Sequence, residues 1–189
     1  MSRLANRTAS QLHSSTLDAL APVKSGGKLP DVYLQFANSE PALRAYLHME
    51  ASVRDGSLSS AEAEALKLWV SEQTGCDFCL SVHSVKAQQA GLAAPLQLDI
   101  RKHGQITGSS KAESDLNCDR INTMLRMAQA LFKSRGSIPQ NELDEARESG
   151  LSDENLVDLT MAISTIFFTN LTNHINDTQS SLPPAPRLD

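Results

Sequence analysis

Apolar residues recur at helical spacing along most of the chain and nowhere alternate over a stretch long enough to predict a strand. From Glu40 the positions Leu43, Tyr46, Leu47 and Met49 keep a helical period until Arg54-Asp55-Gly56 stops it. Ser59 or Ser60 caps the next helix, whose first turns carry Glu62 and Glu64, where acidic groups complement the helix dipole. Leu66, Trp69 and Val70 form its apolar stripe, and Thr74-Gly75 interrupts it. A further helix starts near Cys76 and runs to Gln89, with Gly91 as its stop. Residues 95–103 form a short helix closed by Gly104, and Gln105 to Ser114 reads as a polar, mobile loop. Ile121, Met124, Leu125, Ala128 and Leu131 give a clean stripe ended by Gly136-Ser137-Ile138-Pro139. Two helices follow, from about Gln140 to Ser149 and from Asp153 to about Ile175.

The pattern predicts an all-α protein, and its 189 residues suit a single domain. Residues 1–30 end in the turn signal Ser25-Gly26-Gly27-Lys28-Leu29-Pro30 and read as an N-terminal arm that wraps the domain or meets another subunit. Residues 58–91 form a helix pair. The Pro-rich segment 182–189 cannot continue a helix and reads as an extended tail. Shifting the chain by 93 residues aligns Leu58-Ser59 with Leu151-Ser152, Leu66 with Leu159 and Ser71 with Ser164, while Cys76 and Cys79 fall on Thr169 and Thr172. The second copy would then be scaffold without the chemistry.

Composition narrows the function. Hydrophobic residues make up 40% and aromatic residues 4%, which suits helices packed by Ala, Leu, Ile and Val. A net charge of -5 with no basic cluster argues against a nucleic-acid surface. The longest apolar run, Met161 to Phe168, is too short to span a membrane, and the first residues lack a secretory pattern, so the expected location is the cytoplasm. In that reducing compartment a Cys-x-x-Cys reads as catalytic or metal-binding.

Two of the three cysteines and one of the five histidines fall in Gly75-Cys76-Asp77-Phe78-Cys79-Leu80-Ser81-Val82-His83. On a helix Cys76, Cys79 and His83 stand at i, i+3 and i+7, within about 60° of one another on one face. A helix start favours thiolate, and an imidazole one turn after Cys79 accepts a thiol proton. The same three side chains are also a partial metal set, with His103, His174 or Cys118 as a fourth ligand, and the plainest alternative is buried cysteines packed as small hydrophobes. Cys118 reads as a bystander, Trp69 as core or subunit interface, and Asn170, Asn173, His174 and Asn176 as a hydrogen-bonded helix end.

The stretch Glu64-Ala65-Leu66-Lys67-Leu68-Trp69-Val70-Ser71-Glu72-Gln73-Thr74-Gly75-Cys76-Asp77-Phe78-Cys79, continuing to His83 and Gly91, resembles the alkyl hydroperoxidase D (AhpD) core of the carboxymuconolactone decarboxylase superfamily. The shared motif places a Glu twelve residues before the first Cys, a Val-Ser-x-x-x-Gly-Cys approach, Cys-x-x-Cys, and a His four residues after the second Cys. The flanking helices are similar to the peroxidase-related branch. The resemblance implies an AhpD-like helical bundle with Cys79 as the peroxide-attacking thiol, Cys76 as the resolving thiol, and His83 with Glu64 as a proton relay. Phe78 stands where some members carry a second His, which shortens the relay. Glu72 is the reserve base. The resemblance also implies antioxidant peroxidase activity without metal, flavin or haem, a dithiol or disulfide reductase as electron donor, and a homo-oligomer, trimer or hexamer. General disulfide oxidoreductase and a metal-binding or structural module are the competing functions.

Overall fold

The computed structural model describes residues 2–24, 26, 28–108, 111 and 114–188. Its helices are α1 (Ser14–Leu20), α2 (Asp31–Phe36), α3 (Glu40–Asp55), α4 (Ser60–Thr74), α5 (Asp77–Gln89), α6 (Ala94–His103), α7 (Cys118–Ser134), α8 (Gln140–Glu148) and α9 (Asp153–Asn176), and no strand occurs among the described residues. The helices from α3 onward begin and end close to the positions that periodicity and caps predict.

Helix α4 is the axis of the fold, packed against α5, α6, α7 and α9. Every residue from Ala61 to Ser71 is buried, so its sequence stripe of Leu66, Trp69 and Val70 understates its environment. Small residues at 61, 63 and 65 let neighbours close in on the remaining faces. The charged positions are buried in pairs: Glu62 with Arg120 at 2.6 Å, Glu64 with His83 at 2.6 Å and Lys67 with Glu50 at 3.0 Å. Pairing makes such burial tolerable, because an isolated buried charge costs far more. Trp69 is a core residue, edge-on to Phe132 at 5.2 Å.

Helices α4 and α9 run side by side in the same direction. Ser57, just before α4, donates through both its N–H and Oγ to Asp158 at 2.7 Å, and Thr74 Oγ1 at the far end accepts from Asn170 Nδ2 at 2.7 Å. Gly56 permits the first contact, since a Cβ there would lie 2.7 Å from the Asp158 carboxylate. Both helices open with a capping box at the echoed positions, Ser59 with Glu62 and Ser152 with Asn155.

The first thirty residues add helices of their own. Leu12, Leu20, Phe36, Leu43 and Tyr46 form a second apolar cluster beside α3, with Phe168 of α9 packed on it, and Arg3 N–H donates to Asn176 O at 3.0 Å. Ser25 and Gly27 of the expected turn lie outside the described residues, as do residues 109, 110, 112 and 113 of the expected loop. That loop's start is anchored: the Asn122 amide accepts from Ile106 N–H at 2.7 Å and donates to Ile106 O at 2.9 Å. No helix among the described residues is long and apolar enough to cross a membrane.

Candidate active site

The α4–α5 turn assembles the site. Gly75 adopts φ 66°, a left-handed conformation that glycine reaches without a Cβ penalty, and Cys76 N–H closes the turn by donating to Ser71 O at 3.0 Å. The chain then doubles back, so α5 lies along α4. Glu64, just over one turn into α4, thereby meets His83 in the second turn of α5: Nδ1 to Oε2 is 2.6 Å. On sequence grounds alone Glu64 would be a solvated helix residue. The antiparallel return buries it.

Cys76 is the N-cap of α5, and Cys79 lies in its first turn. All three cysteines are free thiols and buried. The Cys76 thiol is held below its ordinary value, first by hydrogen bonding with the Cys79 side chain and also by the backbone N–H groups of Cys79 and Phe78 at the helix start, which together outweigh burial. Cys79 is pushed well up, first by hydrogen bonding with the Cys76 side chain and second by burial. Asn173 and Thr169 of α9 act on it in the opposite sense. Asn173 Nδ2 donates to Cys79 Sγ at 3.3 Å, and Thr169 Oγ1 lies 4.0 Å from the same sulfur.

Burial holds His83 below the ordinary imidazole value, against the opposing pull of Glu64. Glu64 is raised by burial but lowered more by His83 and Lys67, and ends below the ordinary carboxylate value. The consistent state at neutral pH is a neutral imidazole beside a carboxylate. A carboxylate only accepts hydrogen bonds, so the imidazole proton is on Nδ1 and Nε2 keeps its lone pair. His83 stands one helical turn after Cys79 on the same face of α5. Glu64 Oε1 is also 3.9 Å from Lys67 Nζ, which binds both Glu50 oxygens at 3.0 and 3.1 Å.

Two openings reach this cluster. A cavity of about 450 Å³ is lined by Tyr33, Leu47, Glu50, Glu64, Lys67 and Lys86. A groove of about 300 Å³ is lined by Cys76, Phe78, Ser81 and Asn173, and by Leu182 and Pro184 of the C-terminal tail. The proton-handling end and the sulfur end thus meet solvent on different sides.

Glu72, the reserve base, is turned away: its Oε2 accepts from Arg101 Nε at 2.7 Å, tying α4 to α6. It is an inter-helix clamp rather than the surface residue its place at a helix end suggested. Cys118 is buried at the start of α7. His174 Nε2 bonds Thr74 O at 2.8 Å, and Asn176 Nδ2 donates to Gln35 Oε1 at 2.6 Å, as a hydrogen-bonded helix end requires. Asn173 is the exception in that group, because it touches a sulfur. Its signal in the sequence is an amide on the otherwise core-facing stripe Leu159, Ala162, Ile166, Thr169. Among the described residues no group of three or more His, Cys, Asp or Glu has the arrangement of a metal site.

The carboxymuconolactone decarboxylase family model matches residues 40–115, the segment that holds Glu64, Cys76, Cys79 and His83. No curated protein matches the chain. Among solved structures, an AhpD-core, peroxidase-related protein from Ralstonia eutropha JMP134 is similar at TM-score 0.77 and 18% identity, over 94% of this chain and 91% of that one. A peroxidase-related protein from Silicibacter sp. TM1040 is similar at TM-score 0.72 and 19% identity, over 97% and 91%. The debrominase Bmp8 shares the fold at TM-score 0.71 and 17% identity, over 94% and 91%. Residues 40–115 thus match the carboxymuconolactone decarboxylase family, and the helical bundle around them has the fold of these AhpD-like, peroxidase-related structures.

Proposed function

We propose that the protein is a thiol-dependent peroxidase that reduces hydrogen peroxide or alkyl hydroperoxides through a Cys76/Cys79 dithiol–disulfide cycle, in antioxidant defence. The observation that carries this reading is the buried His83–Glu64 pair at 2.6 Å, set one turn from Cys79 in a free Cys-x-x-Cys. His83 Nε2 takes the Cys79 proton, while Glu64 holds the imidazole in the tautomer that can do so. The Cys79 thiolate attacks the terminal peroxide oxygen: an S–O bond forms, the O–O bond breaks, and the alkoxide leaves with the electron pair and is protonated by His83. Cys76, whose thiolate the helix start favours, then attacks the Cys79 sulfenic acid, water leaves, and the disulfide forms before over-oxidation.

A dithiol or disulfide reductase restores the thiols by attack at Cys76, the sulfur that lines the groove. The working form is a homo-oligomer, trimer or hexamer, in the cytoplasm. The exposed side chains Phe167, Leu171 and Ile175 along α9 supply apolar surface for its contacts. The groove position of Cys76 also favours a second reading, general disulfide exchange with the same residues.

The test supplies the reduced protein with hydrogen peroxide, tert-butyl hydroperoxide, 2,3,4-tribromopyrrole or a small disulfide, and follows thiol loss and product. Peroxide consumption of one equivalent per Cys76–Cys79 disulfide is the expected result. Inertness to both peroxides with rapid disulfide exchange would move the assignment to the second reading, and debromination would move it towards the chemistry of Bmp8.

A further inference from the structure

Asn173 sits on α9 with 3% of its surface exposed and is a wall residue of the groove that holds Cys76. Its two amide atoms are used unequally. Nδ2 lies 3.3 Å from Cys79 Sγ, whereas Oδ1 is buried with no hydrogen-bond partner among the described residues. The amide turns its Nδ2 donor to the Cys79 sulfur and its Oδ1 away from every donor among the described residues. That leaves the carbonyl oxygen free beside the reacting sulfur. A buried amide oxygen without a donor costs free energy in the resting protein, and such an atom in a groove wall is suited to a ligand hydrogen.

We propose that Asn173 is a catalytic residue that binds the terminal O–H of the hydroperoxide through Oδ1 while its Nδ2 holds the Cys79 sulfur. This rests on the peroxidase reading above. The terminal oxygen keeps its hydrogen during attack: it is R–O–O–H before, and Cys79–S–O–H after the S–O bond forms and RO⁻ departs. One acceptor at a fixed distance from the sulfur therefore serves both states, first aiming the oxygen at Sγ and then orienting the sulfenic acid for Cys76. When Cys76 attacks, the oxygen leaves with that hydrogen and gains one proton to become water. The Nδ2 donor stabilises the Cys79 thiolate before attack and again when a reductant opens the disulfide. The neighbouring amide, Asn170, has no such freedom, because Ser71 Oγ donates to its Oδ1 and its Nδ2 donates to Thr74.

The experiment compares wild type, Asn173→Leu and Asn173→Asp in single-turnover reaction with hydrogen peroxide, and measures the pH midpoint of Cys79 alkylation in each. Asn173→Leu loses both functions. It is expected to slow sulfenic acid formation roughly ten- to a hundredfold, the scale of a hydrogen bond to a charged group, and to move the Cys79 midpoint upward. Asn173→Asp keeps the shape and the acceptor but loses the donor and adds a like charge, so its midpoint moves further up. Should Asn173→Leu misfold, Asn173→Asp carries the test. A circular dichroism melt near that of wild type with an unchanged midpoint and an unchanged rate in either folded variant would overturn the role of Asn173 and leave the peroxidase reading intact. A wild-type protein inert to peroxide would instead overturn the peroxidase reading, and this proposal with it.

Discussion

Replacing Glu64 by Gln tests whether the buried pair drives the chemistry. The substitution keeps size and removes the charge from a carboxylate whose oxygen lies 2.6 Å from His83 Nδ1, with the two side chains 11% and 8% exposed. A carboxylate accepts only, so it fixes the imidazole proton on Nδ1. A glutamine amide donates as well, and turned with its NH₂ toward Nδ1 it moves the proton to Nε2, the atom that has to receive the Cys79 proton. The loss expected is therefore that of a general base, about 10²- to 10⁴-fold in rate, or about 3–5 kcal/mol of barrier. Stopped-flow single turnover with excess hydrogen peroxide, read as Cys76–Cys79 disulfide by quench and mass mapping, measures it. Glu72→Gln is the control, because Glu72 is engaged with Arg101 at 2.7 Å and should leave the rate near that of wild type. Parent-rate turnover by Glu64→Gln with slow turnover by Glu72→Gln would take the role from Glu64 and make Glu72 the base. Stability gives an independent reading. Both His83 and Glu64 are held below their ordinary values of 6.5 and 4.5, so the unfolded chain binds more protons than the folded one on acidification. The pair's contribution is present at neutral pH and declines as pH falls below the imidazole range and then through the lowered carboxylate value. The stability gap between wild type and Glu64→Gln should narrow as pH falls through the lowered carboxylate value, where wild type alone has the Glu64 carboxylate to lose.

Peroxide should yield one Cys76–Cys79 disulfide with Cys118 still reduced, and a brief pulse of iodoacetamide on the reduced protein should label Cys76 before Cys79, because the Cys76 thiol is held below its ordinary value and the Cys79 thiol above it. Peptide mapping of both experiments decides, and early labelling of Cys79 would reverse the order of the two thiols. Cys79→Ser should abolish peroxide consumption, whereas Cys76→Ser should react once and stop at sulfenic or sulfinic acid, as dimedone trapping would reveal. Sulfenic acid trapped on Cys76 in the Cys79→Ser protein would exchange the two roles. Lys67→Met should destabilise by about 3 kcal/mol, since it strands Glu50 and deprives Glu64 of a cation in the interior. Adding Glu50→Gln should recover most of that loss in urea denaturation, and additive losses would show that the two side chains are not energetically coupled.

The all-α class, the helix limits from α3 onward, and the Cys-x-x-Cys at the start of α5 are determined by the sequence, because they depend on interactions within a few residues: apolar period, Ser59 and Ser152 caps, and Gly75 at a left-handed turn. The Cys79–His83 spacing is likewise local, one turn of one helix. The meeting of Glu64 with His83 is not. It depends on α5 folding back along α4, and without the family motif Glu64 reads as a solvated position of an amphipathic helix. The burial of α4 on all faces is another tertiary decision, since Glu62, Glu64 and Lys67 look exposed until Arg120, His83 and Glu50 arrive from other helices to neutralise them. Asn173 lies 94 residues from Cys79 and belongs by spacing to a helix end rich in amides; only the packing of α9 against α4 and α5 brings its Nδ2 to the sulfur. A sequence specifies short-range geometry through backbone preference, whereas which side chain faces a given sulfur is settled by the packing of helices that are remote along the chain.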